Sequence, residues 1–294
     1  MKSSVTLRAF AKINLSLRIK DVRPDGYHEV QTIMQAIDLA DRVKIAARRG
    51  PFQIRCDVSR VPLDRTNLVW KAAQLLWQTM GWSGEPRDAV VTLQKRIPIQ
   101  AGLGGGSSNA AAALVGLQRV WKLRIGDDRM FAIAAQLGSD VPYFLVGGTA
   151  LGLGRGEEVY ALADLPRLWV VLVFPPFGVA TKDAYTWVDD RRGRLGSSPD
   201  RLDKPSRPPF PFFPPVTLVN DFEPSIIERH PLIGTFKHRL AQSGALIAAL
   251  TGSGSTVFGV FKSGAAAHSA ARTLKKDGAQ VATARFLPRT SAKA

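Results

Sequence analysis

Alternating apolar and polar positions predict β-strands along much of this 294-residue chain. Near the N-terminus, Ile13, Leu15, Leu17 and Ile19 alternate with polar neighbours, which is the period-two pattern of a strand with one buried face. We expect residues 11–12 to interrupt this first extended region, and we expect 43–47 and 52–56 to form a hairpin. The same pattern, or a short continuous apolar run, predicts strands at 5–10, 13–19, 30–39, 43–47, 52–56, 90–97, 149–153, 168–174, 245–250, 257–261 and 280–286.

Apolar residues at helical spacing predict helices between these strands. Thr66 or Asn67 is expected to cap a helix that carries its apolar residues over 68–76 and ends before Gly81, and one of residues 107–109 is expected to cap a helix over 109–120. Pro142 is expected to limit any helix nearby, because the residue before a proline disfavours the helical conformation. Further helices are predicted at 127–137, 181–188, 233–243 and 265–275, and their order with the strands indicates an α+β second domain.

The segment 98–113 carries the strongest chemical signal, a glycine-rich loop followed by an alanine-rich stretch of high helix propensity. Glycine permits positive φ angles and close approach of the backbone to a ligand, because it has no Cβ. A glycine loop that leads into a helix N-terminus favours a phosphate through its free N–H groups and the helix dipole. The loop is not a Walker A loop, because no Gly-Lys-Ser/Thr follows the glycines. It is not a convincing dinucleotide-binding fingerprint either, because no acidic residue completes that pattern. A phosphate site is therefore favoured over a flexible connection.

Composition narrows the class of protein. The chain is 45% hydrophobic and 22% charged, as in soluble globular proteins, and its length suits one large domain or two ordinary ones. The net charge of +16 favours an anionic partner, but the basic residues are dispersed and form no stripe with aromatic residues. Cys56 is the single cysteine, expected to be a buried structural thiol. With no apolar leader or membrane-length run in the sequence, we expect a cytoplasmic protein.

Three sequence blocks follow one another along the chain: 11–17 (Ala-Lys-Ile-Asn-Leu-Ser-Leu), the segment 98–113, and 251–258 (Thr-Gly-Ser-Gly-Ser-Thr-Val-Phe). Together they resemble the three motifs of the GHMP small-molecule kinases, such as galactokinase, homoserine kinase and mevalonate kinase. Two more stretches, 23–29 (Arg-Pro-Asp-Gly-Tyr-His-Glu) and 138–142 (Gly-Ser-Asp-Val-Pro), resemble family members whose acceptor alcohol carries a cytidine diphosphate group.

The resemblance implies an α+β, two-domain GHMP kinase fold. Residues 1–157 are expected to form an N-terminal domain like ribosomal protein S5 domain 2, which contains the glycine loop. Residues 158–294 are expected to form a ferredoxin-like C-terminal domain. The implied activity is transfer of the γ-phosphoryl group of ATP to an alcohol, with both substrates between the domains.

The resemblance also implies the residues of the site. Lys12 and Asp140 take the catalytic positions. ATP is expected to bind at Pro98, Ile99, Gln100, Ala101, Gly102, Leu103, Gly104, Gly105, Gly106, Ser107 and Ser108. The acceptor is expected at Asn14, Tyr27, His28 and Thr181, with Tyr27 and His28 at its cytosine end. Mg²⁺ is expected to be carried by ATP, and no residue is assigned as its ligand.

Two alternatives remain open. A kinase of the same class could act on homoserine, mevalonate or a sugar, in which case Tyr27 and His28 would have no base to stack on. An RNA-binding protein could use an S5-like fold and the +16 charge, which predicts a steep dependence of binding on salt. We favour the kinase, as a monomer or weak homodimer with no nucleic-acid or membrane partner. The proline- and arginine-rich segment 193–215 is expected to be an extended surface loop.

Overall fold

Two β-sheets and the helices that cover them form an α+β structure, seen in a computed structural model that describes residues 4–195 and 218–292. The elements in chain order are β1 (Ser4–Val22), β2 (His28–Pro51), β3 (Gln53–Cys56), α1 (Leu68–Thr79), β4 (Arg87–Gln94), α2 (Gly105–Val120), α3 (Asp127–Leu137), α4 (Val141–Val146), β5 (Thr149–Leu153), β6 (Glu158–Ala161), β7 (Trp169–Phe174), α5 (Thr181–Leu195), α6 (Glu223–Arg229), α7 (Pro231–Gln242), β8 (Ile247–Leu250), β9 (Val257–Phe261), α8 (Gly264–Lys276), β10 (Gln280–Arg285) and α9 (Arg289–Ala292).

The first sheet is centred on a long antiparallel hairpin of β1 and β2. The strands predicted at 5–10 and 13–19 are one continuous strand, and those predicted at 30–39 and 43–47 both lie in β2. The interruption predicted at 11–12 is a shift of register between Phe10 and Ala11, so the prediction of a strand end there was wrong. A bulge keeps the strand in the sheet while it changes the face that later side chains occupy.

The outer strands of this sheet follow the order β3-β4-β2-β5-β6, with β1 also paired to β2. The hairpin predicted between 43–47 and 52–56 is wrong, because β4 lies between these segments. β3 runs parallel to β4, with Gln53 opposite Val90. Parallel neighbours require a crossover, and α1 provides it between the two strands.

The helix ends show how far local rules decide the fold. Asn67 caps α1 as predicted, since its Oδ1 accepts the backbone N–H of Val69 at 2.9 Å. α2 begins at Gly105, so residues 107–109 lie inside the helix and none of them caps it. Gly104 occupies the N-cap position with φ of 69°, a left-handed conformation that suits glycine. The predicted N-cap of α2 was therefore wrong by about one helical turn.

Three further features differ from the sequence prediction. Pro142 stands in the first turn of α4, where its missing N–H has no helical partner to lose, so it opens a helix instead of limiting one. α5 continues past 188, and the short elements β6, α6 and α9 were not predicted. Most of the segment 193–215, expected to be an extended loop, lies outside the described residues.

The second sheet has the strand order β10-β7-β9-β8 and is antiparallel. Helices α5–α7 connect β7 to β8, and α8 connects β9 to β10, which gives the βαββαβ pattern of a ferredoxin-like unit. The first sheet extends to Ala161, beyond the boundary expected after residue 157. We therefore propose that the two units divide between Ala161 and Trp169. In the described ranges, no helix is both long and apolar enough to span a membrane.

Buried apolar side chains form three layers. One lies between the first sheet and α1–α4, another between the second sheet and α5–α8, and the third between the two sheets. On β1, Leu7 and Ala9 belong to the helix-facing layer, whereas Ala11 and Ile13 belong to the layer between the sheets. The register shift thus reverses the face that β1 turns to the second sheet. Cys56 is half-buried, not fully buried as expected, because it ends the edge strand β3.

We expect Leu172→Ala to lower the free energy of unfolding by about 2–5 kcal/mol, since Leu172 is fully buried in the layer between the sheets. Leu232→Ala is the matched control, because that leucine is 38% exposed and its loss should change stability by less than about 0.5 kcal/mol. Urea unfolding followed by circular dichroism measures both. Equal effects would contradict the assignment of this layer as a principal core.

Candidate active site

A cleft of about 1020 Å³ lies between the first sheet with its glycine loop and the loops and helix α5 of the second unit. It is lined by residues from all three sequence blocks and from α5. The predicted site residues that line it are Lys12, Asn14, Tyr27, His28, Pro98, Ile99, Gln100, Ala101, Gly102, Leu103, Gly104, Gly105, Gly106, Ser107, Asp140 and Thr181. Ser108 is the exception, because it is buried inside α2 and does not reach the cleft.

Lys12 and Asp140 form an ion pair in this cleft, with Nζ and Oδ2 at 3.3 Å. Lys12 follows the register shift of β1 and is only 3% exposed. Its backbone N–H donates to the carbonyl of Leu103 at 3.1 Å, which joins β1 to the glycine loop. Asp140 directly precedes α4, and about a third of its side chain is exposed. The arrangement sets a cation beside an accessible carboxylate, the pair that proton transfer and oxyanion stabilisation use.

Asn14 joins this pair to the third block. Its Oδ1 accepts Lys12 Nζ at 2.6 Å, and its Nδ2 donates to Thr32 Oγ1 at 2.7 Å. The buried hydroxyl of Thr251 accepts the backbone N–H of Asn14 at 3.0 Å and donates to the carbonyl of Gly102 at 3.1 Å. One hydroxyl from the C-terminal unit therefore bridges β1 and the glycine loop. The sequence identified the block but not this bridging role.

The glycine loop needs its glycines for two separate reasons. Gly102 has φ of 72°, and a Cβ there would stand 2.1 Å from the carbonyl oxygen of Thr251. Gly104 has φ of 69°, and its Cβ would stand 2.7 Å from Cζ of Phe144. Positive φ thus coincides with the close approach of a main-chain carbonyl at Gly102 and of an aromatic side chain at Gly104. The loop then enters α2, whose first N–H groups have no helical acceptor and can bind an anion.

The opposite end of the cleft is aromatic. The ring of His28 stacks on Tyr185 with a centroid distance of 4.9 Å, and its Nε2 lies 2.9 Å from Asp189 Oδ1. Tyr27 is 56% exposed, and the guanidinium of Arg155 lies 5.0 Å from its ring centroid. Burial, with smaller effects from Asp140 and Asp189, raises the pKa of Tyr185 to about 12. Its hydroxyl is therefore neutral at physiological pH and able to hydrogen-bond to a ligand.

Helix α5 supplies two residues that the sequence prediction missed, Tyr185 and Asp189. They follow Thr181 at intervals of four residues, so the three share one helical face, a pattern that could have revealed them. At the start of α5, Thr181 Oγ1 lies 3.1 Å from Ser253 Oγ of the third block. Near its end, Arg192 donates to the carbonyl of Lys20 at 3.2 Å. The helix is thus fixed at both ends, across the cleft from β1.

Comparison with known proteins agrees with this architecture. The family profile described as GHMP kinases N terminal domain matches residues 67–148, and the one described as GHMP kinases C terminal matches residues 216–280. A 4-diphosphocytidyl-2-C-methyl-D-erythritol kinase of Pelotomaculum thermopropionicum is 38% identical over 97% of this chain and 99% of its own length. One of the same name from Anaeromyxobacter dehalogenans is 41% identical over 92% of this chain and 85% of its own.

Solved structures give the same result. A crystal structure of 4-(cytidine 5'-diphospho)-2C-methyl-D-erythritol kinase is 30% identical, with a TM-score of 0.76 over 96% of this chain and 99% of its own. A homoserine kinase of Cytophaga hutchinsonii covers 99% of this chain and 97% of its own at 18% identity, with a TM-score of 0.65. The Methanococcus jannaschii mevalonate kinase covers 97% of this chain and 99% of its own at 13% identity, with a TM-score of 0.67. The last two show the shared fold alone.

The chain therefore belongs to the GHMP kinases, which are small-molecule kinases with ATP as co-substrate. Within them it belongs to the family of 4-diphosphocytidyl-2-C-methyl-D-erythritol kinases. The predicted family and the two-domain α+β fold are confirmed. The roles of the individual site residues stay predictions, which the geometry above supports.

Gly102→Ala should destabilise the protein more than Gly278→Ala. Both glycines have positive φ, but a Cβ at Gly278 meets nothing within 4 Å, whereas one at Gly102 would overlap the Thr251 carbonyl. We expect about 1–2 kcal/mol of lost stability at Gly278 from the left-handed conformation alone, and more at Gly102. Chemical unfolding of both variants measures the difference. Equal losses would show that the close approach at Gly102 carries no strain of its own.

Proposed function

We propose that this chain transfers the γ-phosphoryl group of ATP to the 2-hydroxyl of 4-diphosphocytidyl-2-C-methyl-D-erythritol, giving the 2-phosphate and ADP. The product is a precursor in the non-mevalonate route to isoprenoids. The observation that carries the proposal is the Lys12–Asp140 ion pair, placed in one cleft between a glycine-loop helix N-terminus and an aromatic pocket. The names of the full-length relatives support the choice of acceptor.

The acceptor alcohol is tertiary and a weak nucleophile, so the proposed chemistry needs a base. Asp140 would take the proton of the 2-hydroxyl while that oxygen bonds to the γ-phosphorus and the bond to ADP breaks. Lys12 would stabilise the negative charge that develops on the attacking oxygen. Asn14, whose Oδ1 accepts a hydrogen bond from Lys12 Nζ at 2.6 Å, would hold the ammonium close to the reacting hydroxyl. General-base assistance of this kind contributes ~10²–10⁴ to the rate.

ATP would bind along residues 98–108, with its phosphates at the start of α2. The φ values of Gly102 and Gly104 shape a backbone that can lie close to the phosphates. Among residues 4–195 and 218–292, no group of three or more His, Cys, Asp or Glu side chains could hold a metal ion. We propose that Mg²⁺ is carried by the ATP phosphates, where it would neutralise charge.

The cytidine end of the acceptor would lie in the aromatic pocket. The exposed ring of Tyr27 offers a face for stacking on cytosine, and His28 offers polar edges to the base. Stacking of a base on an aromatic side chain contributes ~1–3 kcal/mol. Tyr185 and Asp189 would form the far wall and set the orientation of the His28 ring. Thr181, beside Ser253, would lie nearer the diphosphate.

Asp140→Asn should lower kcat by at least about 10²-fold with little change in the KM for ATP, because it removes the base and leaves the glycine loop intact. Steady-state formation of ADP with both substrates measures the effect. Asp128→Asn is the matched control, since Asp128 is an exposed residue at the start of α3. Unchanged kcat in Asp140→Asn would remove this residue from its proposed role.

His28→Ala should raise the KM for the acceptor about tenfold or more and leave the KM for ATP unchanged, because the proposal assigns this residue to the cytidine end of the acceptor alone. His238→Ala, an exposed histidine on α7, is the control. CMP should compete with the acceptor in the unmodified enzyme. If the acceptor carries no base, as in homoserine, mevalonate or a sugar, CMP should not compete with it. In that case His28→Ala should not raise the KM for the acceptor selectively.

We also propose that the chain acts in the cytoplasm as a monomer or weak homodimer without a nucleic-acid or membrane partner. Light scattering after size exclusion measures the oligomeric state. The RNA-binding alternative, based on the +16 charge, predicts tight binding that weakens steeply as salt rises. Tight RNA binding at moderate salt would contradict our proposal.

A further inference from the structure

A buried polar network lies beside the glycine loop, and two of its residues, Lys95 and Asn109, also line the cleft. It consists of Asp41 from the middle of β2, Lys95 after β4, and Asn109 in α2. The side chain of Asp41 is fully buried, that of Lys95 is 7% exposed, and Asn109 is 3% exposed. No family motif named above includes Asp41 or Lys95, and the proposed mechanism uses none of the three.

The Asp41 carboxylate is the centre of the network. Its Oδ1 accepts the backbone N–H groups of Arg96 and Ile97, at 2.7 and 2.9 Å. Its Oδ2 accepts the Nδ2 of Asn109 at 2.9 Å and forms an ion pair with Lys95 Nζ. Lys95 Nζ also donates to Asn109 Oδ1 at 3.0 Å. One carboxylate thus makes four contacts, two with the main chain and two with side chains.

These contacts fall on the two ends of the glycine loop. Residues 95–97 immediately precede the loop, and Asn109 immediately follows it. The loop also rests on the network, because a Cβ at Gly105 would stand 2.9 Å from Ile97 Cγ2 and 3.4 Å from Lys95 Nζ. Asp41 therefore joins the entrance of the loop to the helix at its exit, and neither end can move without breaking a hydrogen bond to a buried carboxylate.

A buried ion pair is weak evidence of a role in stability, because the cost of desolvating two charges offsets most of their attraction. Orientation of a loop is a different matter. Donors that are already aimed at a phosphate bind it without the cost of ordering, and small displacements of such groups are expensive in rate or affinity. The place of this network, at both ends of one loop, fits the second role.

We propose that Asp41, acting through Lys95 and Asn109, is a positioning residue that holds the glycine loop in the geometry that binds a nucleoside triphosphate. We call these three residues the loop clamp. The inference rests on the proposed function only in taking residues 98–108 as the nucleotide site. None of the three side chains belongs to the proposed catalytic pair or to the aromatic pocket, so the effect should appear in the affinity for ATP and not in the affinity for the acceptor.

Asn109→Ala tests the clamp most directly. It releases α2 from Asp41 but leaves the Asp41–Lys95 ion pair and both main-chain hydrogen bonds in place, and alanine favours the helix. The dissociation constant for ATP, measured by calorimetry, should rise about tenfold or more, and the KM for the acceptor should stay unchanged. Lys237→Met is the control, because it breaks the ion pair with Glu223, outside the nucleotide site. It should lower stability without changing ATP affinity.

Exchanging the carboxylate of Asp41 with the amide of Asn109 tests whether ATP affinity can be restored. Asp41→Asn leaves Lys95 without its carboxylate, and Asn109→Asp sets a second carboxylate against Asp41, so each single change should weaken ATP binding. The double variant Asp41→Asn/Asn109→Asp again pairs one carboxylate and one amide, and it keeps a carboxylate within reach of Lys95 Nζ. ATP affinity should return to within about threefold of that of the unmodified chain, as a double-mutant cycle measures.

Two results would overturn the clamp. One is an unchanged ATP dissociation constant in folded Asn109→Ala. The other is an exchange variant that regains thermal stability but binds ATP no better than the single variants, which would make the network structural only. Failure of the unmodified chain to phosphorylate the proposed acceptor would contradict the proposed function instead. It would leave the ATP dissociation constants as a valid test of the clamp.

Discussion

The site depends on one irregularity in the first sheet, the register shift between Phe10 and Ala11 of β1, where β2 has two extra residues, Asp38 and Leu39, between Ala40 and Ile37. Before it, Leu7 and Ala9 pack against the helices, and after it Ala11 and Ile13 pack against the second sheet. Side chains of a strand alternate between its faces, so the same shift turns Lys12 and Asn14 away from the apolar layer and toward the glycine loop. Without this shift, the apolar face of β1 would stay on the helix side and Lys12 would face the second sheet.

The stacking of the two sheets then completes the cleft. The Thr251 hydroxyl of the C-terminal unit hydrogen-bonds to both Asn14 and Gly102, and the Thr251 carbonyl lies where any side chain at Gly102 would stand. The third block is therefore a joint between the units. Its glycine-rich backbone allows contact close enough for a single hydroxyl to reach two main-chain groups.

The two ends of the cleft are built by different parts of the fold. The first sheet, α2 and α4 provide the proposed catalytic ion pair and the proposed phosphate site. α5 from the second unit closes the aromatic end, where Tyr185 stacks on His28. Because α5 is held to β1 by Arg192 and to the third block by Thr181, the pocket proposed for the acceptor forms only when the two units are packed together.

Sequence alone determined what depends on neighbouring residues. Alternation predicted most strands, Asn67 was correctly predicted as a cap, and the order of the glycine loop with blocks 11–17 and 251–258 predicted the family and its fold. Most of the predicted site residues do line one cleft, with Ser108 the exception.

Tertiary structure decided what depends on residues far apart in the chain. The pattern of β1 could not show whether residues 11–12 end the strand or shift its register, since only pairing with β2 distinguishes the two. The parallel pairing of β3 with β4, the Tyr185–His28 stack and the contacts of Asp41 with both ends of the glycine loop all join segments separated by tens of residues or more. Such contacts form only when the whole chain folds, because their free energy comes from burial and not from local backbone preference.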